Sequence, residues 1–146
     1  MRVLLDTHIL LRAAADSPSL SAQARQVLVS DAAQLYFSAA SIWEVAIKTG
    51  LGRVDFAVDA RRLRRGLLSN GYLELPVTGE HAIEVGSLPD VHKDPFDRIL
   101  VAQSRVEGRP LVTADKMVSQ YSGDILLVRT HVESGLQCSP FESGKA

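Results

Sequence analysis

The chain has 146 residues, which is enough for one domain with its own hydrophobic core. Its hydrophobic share of 46% excludes an intrinsically disordered chain, and no apolar run is long enough to cross a membrane. The net charge of −1 does not by itself indicate a nucleic-acid-binding protein, while the single cysteine excludes an internal disulfide framework and fits a reducing cytoplasm.

The N-terminal segment predicts a buried strand followed by a helix. The apolar run from Arg2 to Leu5 is typical of a parallel strand, so Asp6 falls at its carboxyl end, where open α/β sheets place their ligands. Thr7 is expected to cap a helix from about His8 to Ala15, which leaves Asp6 for a ligand. The alternative is that Asp6 itself caps this helix. An acid at this position also makes the segment a poor signal peptide.

Three further elements are predicted before residue 50: a helix over Ser21–Ser30, a strand over Gln34–Ser38 and a helix over Ser38–Lys48. Ser41 and Glu44 have the spacing of a capping box. If the helix instead begins at the end of the strand, Glu44 lies inside an apolar segment, where its carboxylate needs a partner or solvent. Glu44 is therefore either a functional acid or a solvated helical residue.

The middle of the chain predicts three more elements: a helix over Asp59–Ser69, a strand over Tyr72–Val77 and a short helix from Thr78 to about Gly86. The first of these helices carries a basic cluster formed by Arg61, Arg62, Arg64 and Arg65. This cluster is either a solvated face or an edge that contacts phosphates or a partner.

The segment LPDVHKDPFDRILVAQ, residues 88–103, contains the start of another helix. Asp94 suits the N-cap and Pro95 the first helical position, and Asp97 then lies near the positive end of the helix dipole. The apolar residues that follow can bury this helix, which is predicted to end at Gly108. Asp97 is thus held on a rigid element, although its spacing also fits an acid with only a capping role.

The C-terminal part predicts a strand over Leu111–Asp115, a short helix or turn over Lys116–Gln120 and a fifth strand over Ile125–Val128. Asp115 lies at the carboxyl end of its strand. From Arg129 onward no clear pattern follows. Residues 1–130 are therefore expected to form the domain, and residues 131–146 a poorly ordered tail.

The alternation of strands and helices predicts a three-layer α/β/α fold with a five-stranded, mainly parallel sheet. The carboxyl ends of parallel strands and the starts of the helices after them share one edge, which brings together Asp6, Glu44, Asp97 and Asp115. Clustered carboxylates favour a bound cation, and oxygen ligands select Mg²⁺ or Mn²⁺. The four histidines show no zinc-ligand spacing among themselves. The pattern indicates metal-assisted phosphodiester hydrolysis.

Four segments in this order carry a family resemblance: VLLDTHILL, SAASIWEVAIKTGLGR, HKDPFDRILVAQ and LVTAD. Together they resemble PIN-domain ribonucleases of the VapC-like type II toxin family, from Met1 to about Val128. The resemblance implies a PIN fold, Mg²⁺-dependent endoribonuclease activity on RNA with Mn²⁺ as a substitute, and a cytoplasmic toxin. It also implies a small antitoxin that occludes the acidic groove, and a homodimer.

The resemblance assigns roles to individual residues. The catalytic, metal-binding acids of the family correspond to Asp6, Glu44, Asp97 and Asp115. Asp94, Thr113 and Thr7 are expected to support these acids, and Thr113 to orient Asp115 or a water. Arg98 is expected to reach a phosphate or to pair with an acid.

Three other functions compete with this interpretation. A housekeeping metal-dependent nuclease would use the same acids on RNA or single-stranded DNA. A catalytically silent RNA- or protein-binding module would keep the fold, but all the acids are present, which argues against it. A phosphatase that forms an aspartyl-phosphate usually needs a second acid two residues after the first, where this chain has His8.

Overall fold

The structure, a computed structural model, describes residues 1–52 and 58–128, in which strands and helices alternate. The strands are β1 (Arg2–Leu5), β2 (Gln34–Ser38), β3 (Leu73–Leu75), β4 (Leu111–Thr113) and β5 (Ile125–Leu127). The helices are α1 (Thr7–Ala14), α2 (Ala22–Val29), α3 (Ala39–Gly50), α4 (Ala60–Ser69), α5 (Gly79–Val85) and α6 (Pro95–Glu107), with a 3₁₀ turn at Val118–Gln120. The tail predicted over residues 131–146 lies outside the described residues.

The five strands form one sheet in the order β3-β2-β1-β4-β5, and every pair is parallel. β1 is central: Leu5 pairs with Phe37 of β2 on one side and with Val112 of β4 on the other. The predicted fold class is therefore confirmed, with a sheet that is wholly parallel. Asp6, the next residue, lies in the middle of the carboxyl edge of the sheet.

Successive strand residues face opposite sides of the sheet, so each strand contributes to two hydrophobic cores. Val3 and Leu5 pack in a core that α1 to α4 cover, with Ile9 and Leu63 among the helical residues in it. Leu4 packs in the other core, which residues of α6 such as Leu100 and Val101 fill. The helices thus lie on both faces of the sheet, as predicted, and hold the strand ends rigidly. Among the described residues, no helix has the length and apolar character needed to span a bilayer.

The start of α1 differs from the prediction. Asp6, and not Thr7, is the N-cap: its backbone is extended and its Oδ1 accepts a hydrogen bond from the Ile9 amide at 2.9 Å. The prediction that Thr7 caps the helix was wrong. The helix begins one residue earlier than predicted, at Thr7, because the Asp6 carboxylate satisfies a free backbone amide of the first turn. Thr7 is the first helical residue and its side chain is buried.

The starts of α3 and α6 decide where two of the predicted acids lie. Ser38 caps α3, so the capping box between Ser41 and Glu44 does not form and Glu44 lies inside the helix. Asp94 caps α6 through the Phe96 amide at 2.9 Å, as predicted. α6 ends at Gly108, whose left-handed backbone (φ 66°) favours glycine.

Candidate metal centre

The four predicted acids lie at the carboxyl edge of the sheet, at different depths. Asp6 follows β1 and Glu44 lies in α3, and both residues are almost fully buried, with 5% and 2% of their surface exposed. Asp97 lies in the first turn of α6 with 18% of its side chain exposed. Asp115 follows β4 and is the most open, at 42%. The acids therefore range from buried residues to one open to solvent, and the region that these four residues share is called the crevice below.

Asp6 is held from two directions at the floor of this crevice. Its Oδ1 caps α1, and its Oδ2 accepts a hydrogen bond from the Thr113 hydroxyl at 2.5 Å. The same hydroxyl accepts the Asp115 amide at 3.0 Å, so Thr113 links the floor of the crevice to the segment that carries the outermost acid. Burial raises the pKa of Asp6 above its ordinary value, and the hydrogen bonds from Thr113 and Ile9 oppose that rise.

Glu44 is buried between a hydroxyl and a cation. The Thr7 hydroxyl donates to Oε1 at 2.7 Å and lies 2.8 Å from the Ser41 hydroxyl. Lys48, one turn further along α3, contacts Oε2 at 2.6 Å, and its Nζ is 3.7 Å from Asp94 Oδ2. The predicted need of Glu44 for a partner is therefore met by Lys48 and Thr7, while Lys48 also faces the cap of α6.

Asp97 has a strongly perturbed titration. Its pKa is raised from 3.8 to about 8, first by burial and then by repulsion from Asp94, Asp6, Glu44 and Asp115. This repulsion requires that the predicted acids face one another across one crevice. A divalent cation between them would offset the repulsion, and carboxylate oxygens are ligands that Mg²⁺ and Mn²⁺ prefer. The residues present therefore fit such an ion.

His92 belongs to this cluster, although no sequence pattern predicted it there. Its Nε2 lies 3.1 Å from Asp97 Oδ2 and 3.4 Å from Asp115 Oδ2. One nitrogen or oxygen from each of these three residues lies within 4.8 Å of the others, a spacing that suits metal ligands. The spacing of the histidines in the sequence could not reveal His92, because its neighbours in this cluster are the acids Asp97 and Asp115 and not other histidines.

The metal-free protein is expected to lose stability as pH rises from about 4 to about 8. In that range the folded protein keeps a proton on Asp97 that the unfolded chain has released, so folding takes up a proton. The free energy of unfolding then falls by up to about 1.4 kcal/mol per pH unit. Urea unfolding in EDTA, on the wild type and on Asp97→Asn, isolates this contribution as the difference between the two pH slopes. Equal slopes would show that Asp97 titrates normally.

The comparison with protein families decides where the chain belongs. The PIN domain family model matches residues 3–124. The chain belongs to the PIN domain family. A comparison with curated proteins found no match. The matched range of this PIN domain includes all four acids and His92, so the crevice lies within the part of the chain that defines the family.

Solved structures similar to this PIN domain include bacterial toxin–antitoxin proteins. VapBC2 from Rickettsia felis, solved with a DNA fragment from its promoter, gives a TM-score of 0.65 at 14% identity and covers 89% of this chain and 99% of that chain. A toxin–antitoxin complex from Klebsiella pneumoniae gives 0.59 at 18% identity and covers 85% and 95%. Mycobacterium tuberculosis VapC20, described as a Sarcin-Ricin loop cleaving toxin, gives 0.59 at 14% and covers 82% and 96%. At these identities the likeness shows a shared fold.

Arg98 of this PIN domain contacts backbone carbonyls and a tyrosine hydroxyl. Its two terminal nitrogens donate to backbone carbonyls of the loop before α6, at Val85, Leu88, Pro89 and His92. Nη1 also contacts the Tyr121 hydroxyl at 3.2 Å. Because these contacts occupy both nitrogens, the guanidinium fastens the loop and pairs with no acid of the crevice among the described residues. A contact of Arg98 with a phosphate stays a prediction.

Proposed function

We propose that this PIN domain is a metal-dependent endoribonuclease that hydrolyses RNA phosphodiester bonds, and that it is the toxin of a type II toxin–antitoxin pair. The observation that carries the proposal is the gathering of acids from distant segments in one crevice, where their mutual repulsion contributes to the raised pKa of Asp97. The structural similarity to VapBC2 and VapC20 supports the toxin assignment, and VapC20, a Sarcin-Ricin loop cleaving toxin, supports RNA as the substrate class.

The ion that fits the crevice is Mg²⁺, with Mn²⁺ as a substitute, and Asp6, Glu44, Asp97 and Asp115 are the residues that would hold it. When bound, such an ion supplies positive charge that offsets the charge developing on a phosphodiester under attack. The chain's own contribution is the arrangement of these acids. Thr113 holds Asp6 in place, and Lys48 and Thr7 hold Glu44. Because Asp115 is the most exposed acid, the RNA backbone is expected to enter from its side.

We further propose that a small antitoxin protein covers this acidic crevice. An open crevice with acids at its mouth offers a partner the chance to insert a basic side chain, which would compete with both the metal and the RNA. The toxin–antitoxin complexes among the similar folds support this partner. Assembly as a homodimer stays a prediction from the family resemblance.

A cleavage assay on total RNA, tRNA and single-stranded DNA tests the proposal. Purified protein with Mg²⁺ or Mn²⁺ is expected to cut at least one RNA within its chain and to leave single-stranded DNA intact. Induction of the chain without its antitoxin is expected to arrest growth, and Asp97→Asn serves as the matched control. Cleavage of RNA without growth arrest would indicate a housekeeping nuclease, and absence of any cleavage by folded, metal-bound protein would indicate a binding module.

A further inference from the structure

We propose that His92 is a positioning residue for the metal site: its Nε2 lies between Asp97 and Asp115 and holds the two carboxylates in the geometry that receives the ion. This inference rests on the proposed function, since it assigns His92 a role toward the same metal. Four acids of this crevice follow from the family resemblance, whereas His92 follows only from the contacts of this chain.

The hydrogen bonds of the imidazole ring fix which nitrogen carries the proton. The Asp94 amide donates to His92 Nδ1 at 3.1 Å, so Nδ1 must be an acceptor without a hydrogen. In a neutral imidazole the other nitrogen then carries the hydrogen, which makes Nε2 a donor. Oδ2 of Asp97 lies 3.1 Å from Nε2 and Oδ2 of Asp115 lies 3.4 Å from it, so the Nε2 hydrogen is in contact with both carboxylates. In this arrangement Nε2 bridges two carboxylates and is not itself free to bind a metal.

The backbone of His92 is fixed as firmly as its ring. The Tyr121 hydroxyl accepts from the His92 amide at 2.9 Å and lies 3.2 Å from the His92 carbonyl, to which it can donate. Arg98 Nη1 donates to the same hydroxyl at 3.2 Å and to the His92 carbonyl at 3.4 Å. Tyr121 is only 3% exposed, so these bonds are shielded from water. Arg98 and Tyr121 thus hold His92, and His92 holds the acids.

The bridge leaves the carboxylates able to bind an ion. A carboxylate has two oxygens with about four lone-pair sites, and His92 contacts one oxygen of each. The contact with both residues is expected to hold Asp97 and Asp115 in fixed rotamers before the ion arrives. Hydrogen-bonding partners of metal ligands typically change metal affinity by roughly 10–100-fold when they are removed.

Isothermal titration of Mn²⁺ into four proteins tests the role of His92: the wild type, His92→Ala, His92→Gln and the control Asp31→Asn. His92→Ala is expected to bind Mn²⁺ about 10–100-fold more weakly than the wild type. His92→Gln is expected to recover most of the affinity, because its amide N–H reaches nearly the position of Nε2. Asp31→Asn changes an exposed residue between α2 and β2 and is expected to bind as the wild type does. Thermal unfolding of each variant confirms that it is folded.

Long-range ¹H–¹⁵N spectra of the metal-free protein, recorded where a free imidazole is neutral, test the bridge directly. The signal lost in His92→Gln is expected to show a hydrogen on Nε2. A hydrogen on Nδ1, or equal Mn²⁺ affinity of His92→Ala and the wild type, would overturn the inference and leave the proposed function standing. Wild-type protein that binds no Mn²⁺ and cuts no RNA would instead overturn the proposed function, and the role of His92 with it.

Discussion

Replacing Asp97 with asparagine is expected to abolish RNA cleavage while the fold survives. The substitution would keep the size of the side chain and its place in the first turn of α6, but it would remove a charged ligand from a crevice in which burial and four neighbouring acids already raise the pKa of Asp97 to about 8. Removing the hydrogen-bonding partners of metal ligands typically lowers metal affinity or activity by roughly 10–100-fold. Loss of a ligand itself is therefore expected to lower the cleavage rate by more than about 100-fold.

The matched control for this substitution is Asp31→Asn, which makes the same chemical change at an exposed position between α2 and β2. This control is expected to cleave RNA at the wild-type rate. The two variants are compared by initial rates on one RNA and by thermal unfolding in EDTA, where Asp97→Asn is expected to be the more stable protein because asparagine is neutral without having to take up a proton on folding. Full activity of Asp97→Asn would show that this acid is structural.

Removing the metal is expected to stop cleavage completely, and adding Mg²⁺ or Mn²⁺ in excess of the chelator is expected to restore it. The same ion should raise the unfolding temperature, because an ion that binds only the folded crevice stabilises the fold by about 2.7 kcal/mol at 100 times its dissociation constant. The increase is expected to be small in Asp97→Asn, which lacks one of the four predicted ligands.

Two measurements separate a catalytic ion from a merely structural one. Cleavage and unfolding temperature are followed over the same range of Mg²⁺ concentration, with Ca²⁺ as the comparison ion. Ca²⁺ prefers longer bonds and more ligands, so it is expected to stabilise the fold with weaker support of cleavage. Cleavage that continues unchanged in excess EDTA would remove the metal from the mechanism.

Local sequence patterns predicted the parts of this fold that depend on local chemistry. The strand over Gln34–Ser38 and the cap and proline at the start of α6 lie where the sequence placed them, because alternation, capping and proline geometry act over a few residues. The placement of acids at one sheet edge followed from topology, since parallel strands bring their carboxyl ends together. Thr7 failed as a cap because two neighbouring residues were both suitable and the better acceptor prevailed.

Contacts between distant segments account for what the sequence did not reveal. His92 meets Asp115 only because the loop before α6 folds over the end of β4, and Tyr121 fixes that loop from a third segment. Arg98 was expected to reach a phosphate or to pair with an acid, and its position on α6 directs it to backbone carbonyls of Val85 and Pro89. Charge and spacing alone could not separate these outcomes, since each depends on which segments become neighbours in the folded chain.

The central position of β1 has a consequence for synthesis of the protein on the ribosome. The first strand translated must wait for β4 as its second neighbour, and Asp6 must wait for a hydroxyl 107 residues later in the chain. While Thr113 and Asp115 are still inside the ribosome, the nascent chain lacks the hydroxyl that supports Asp6. It also lacks Asp115, the last of the four acids. If the proposed activity is correct, a ribosome making this nuclease is exposed to it only when the domain is almost complete.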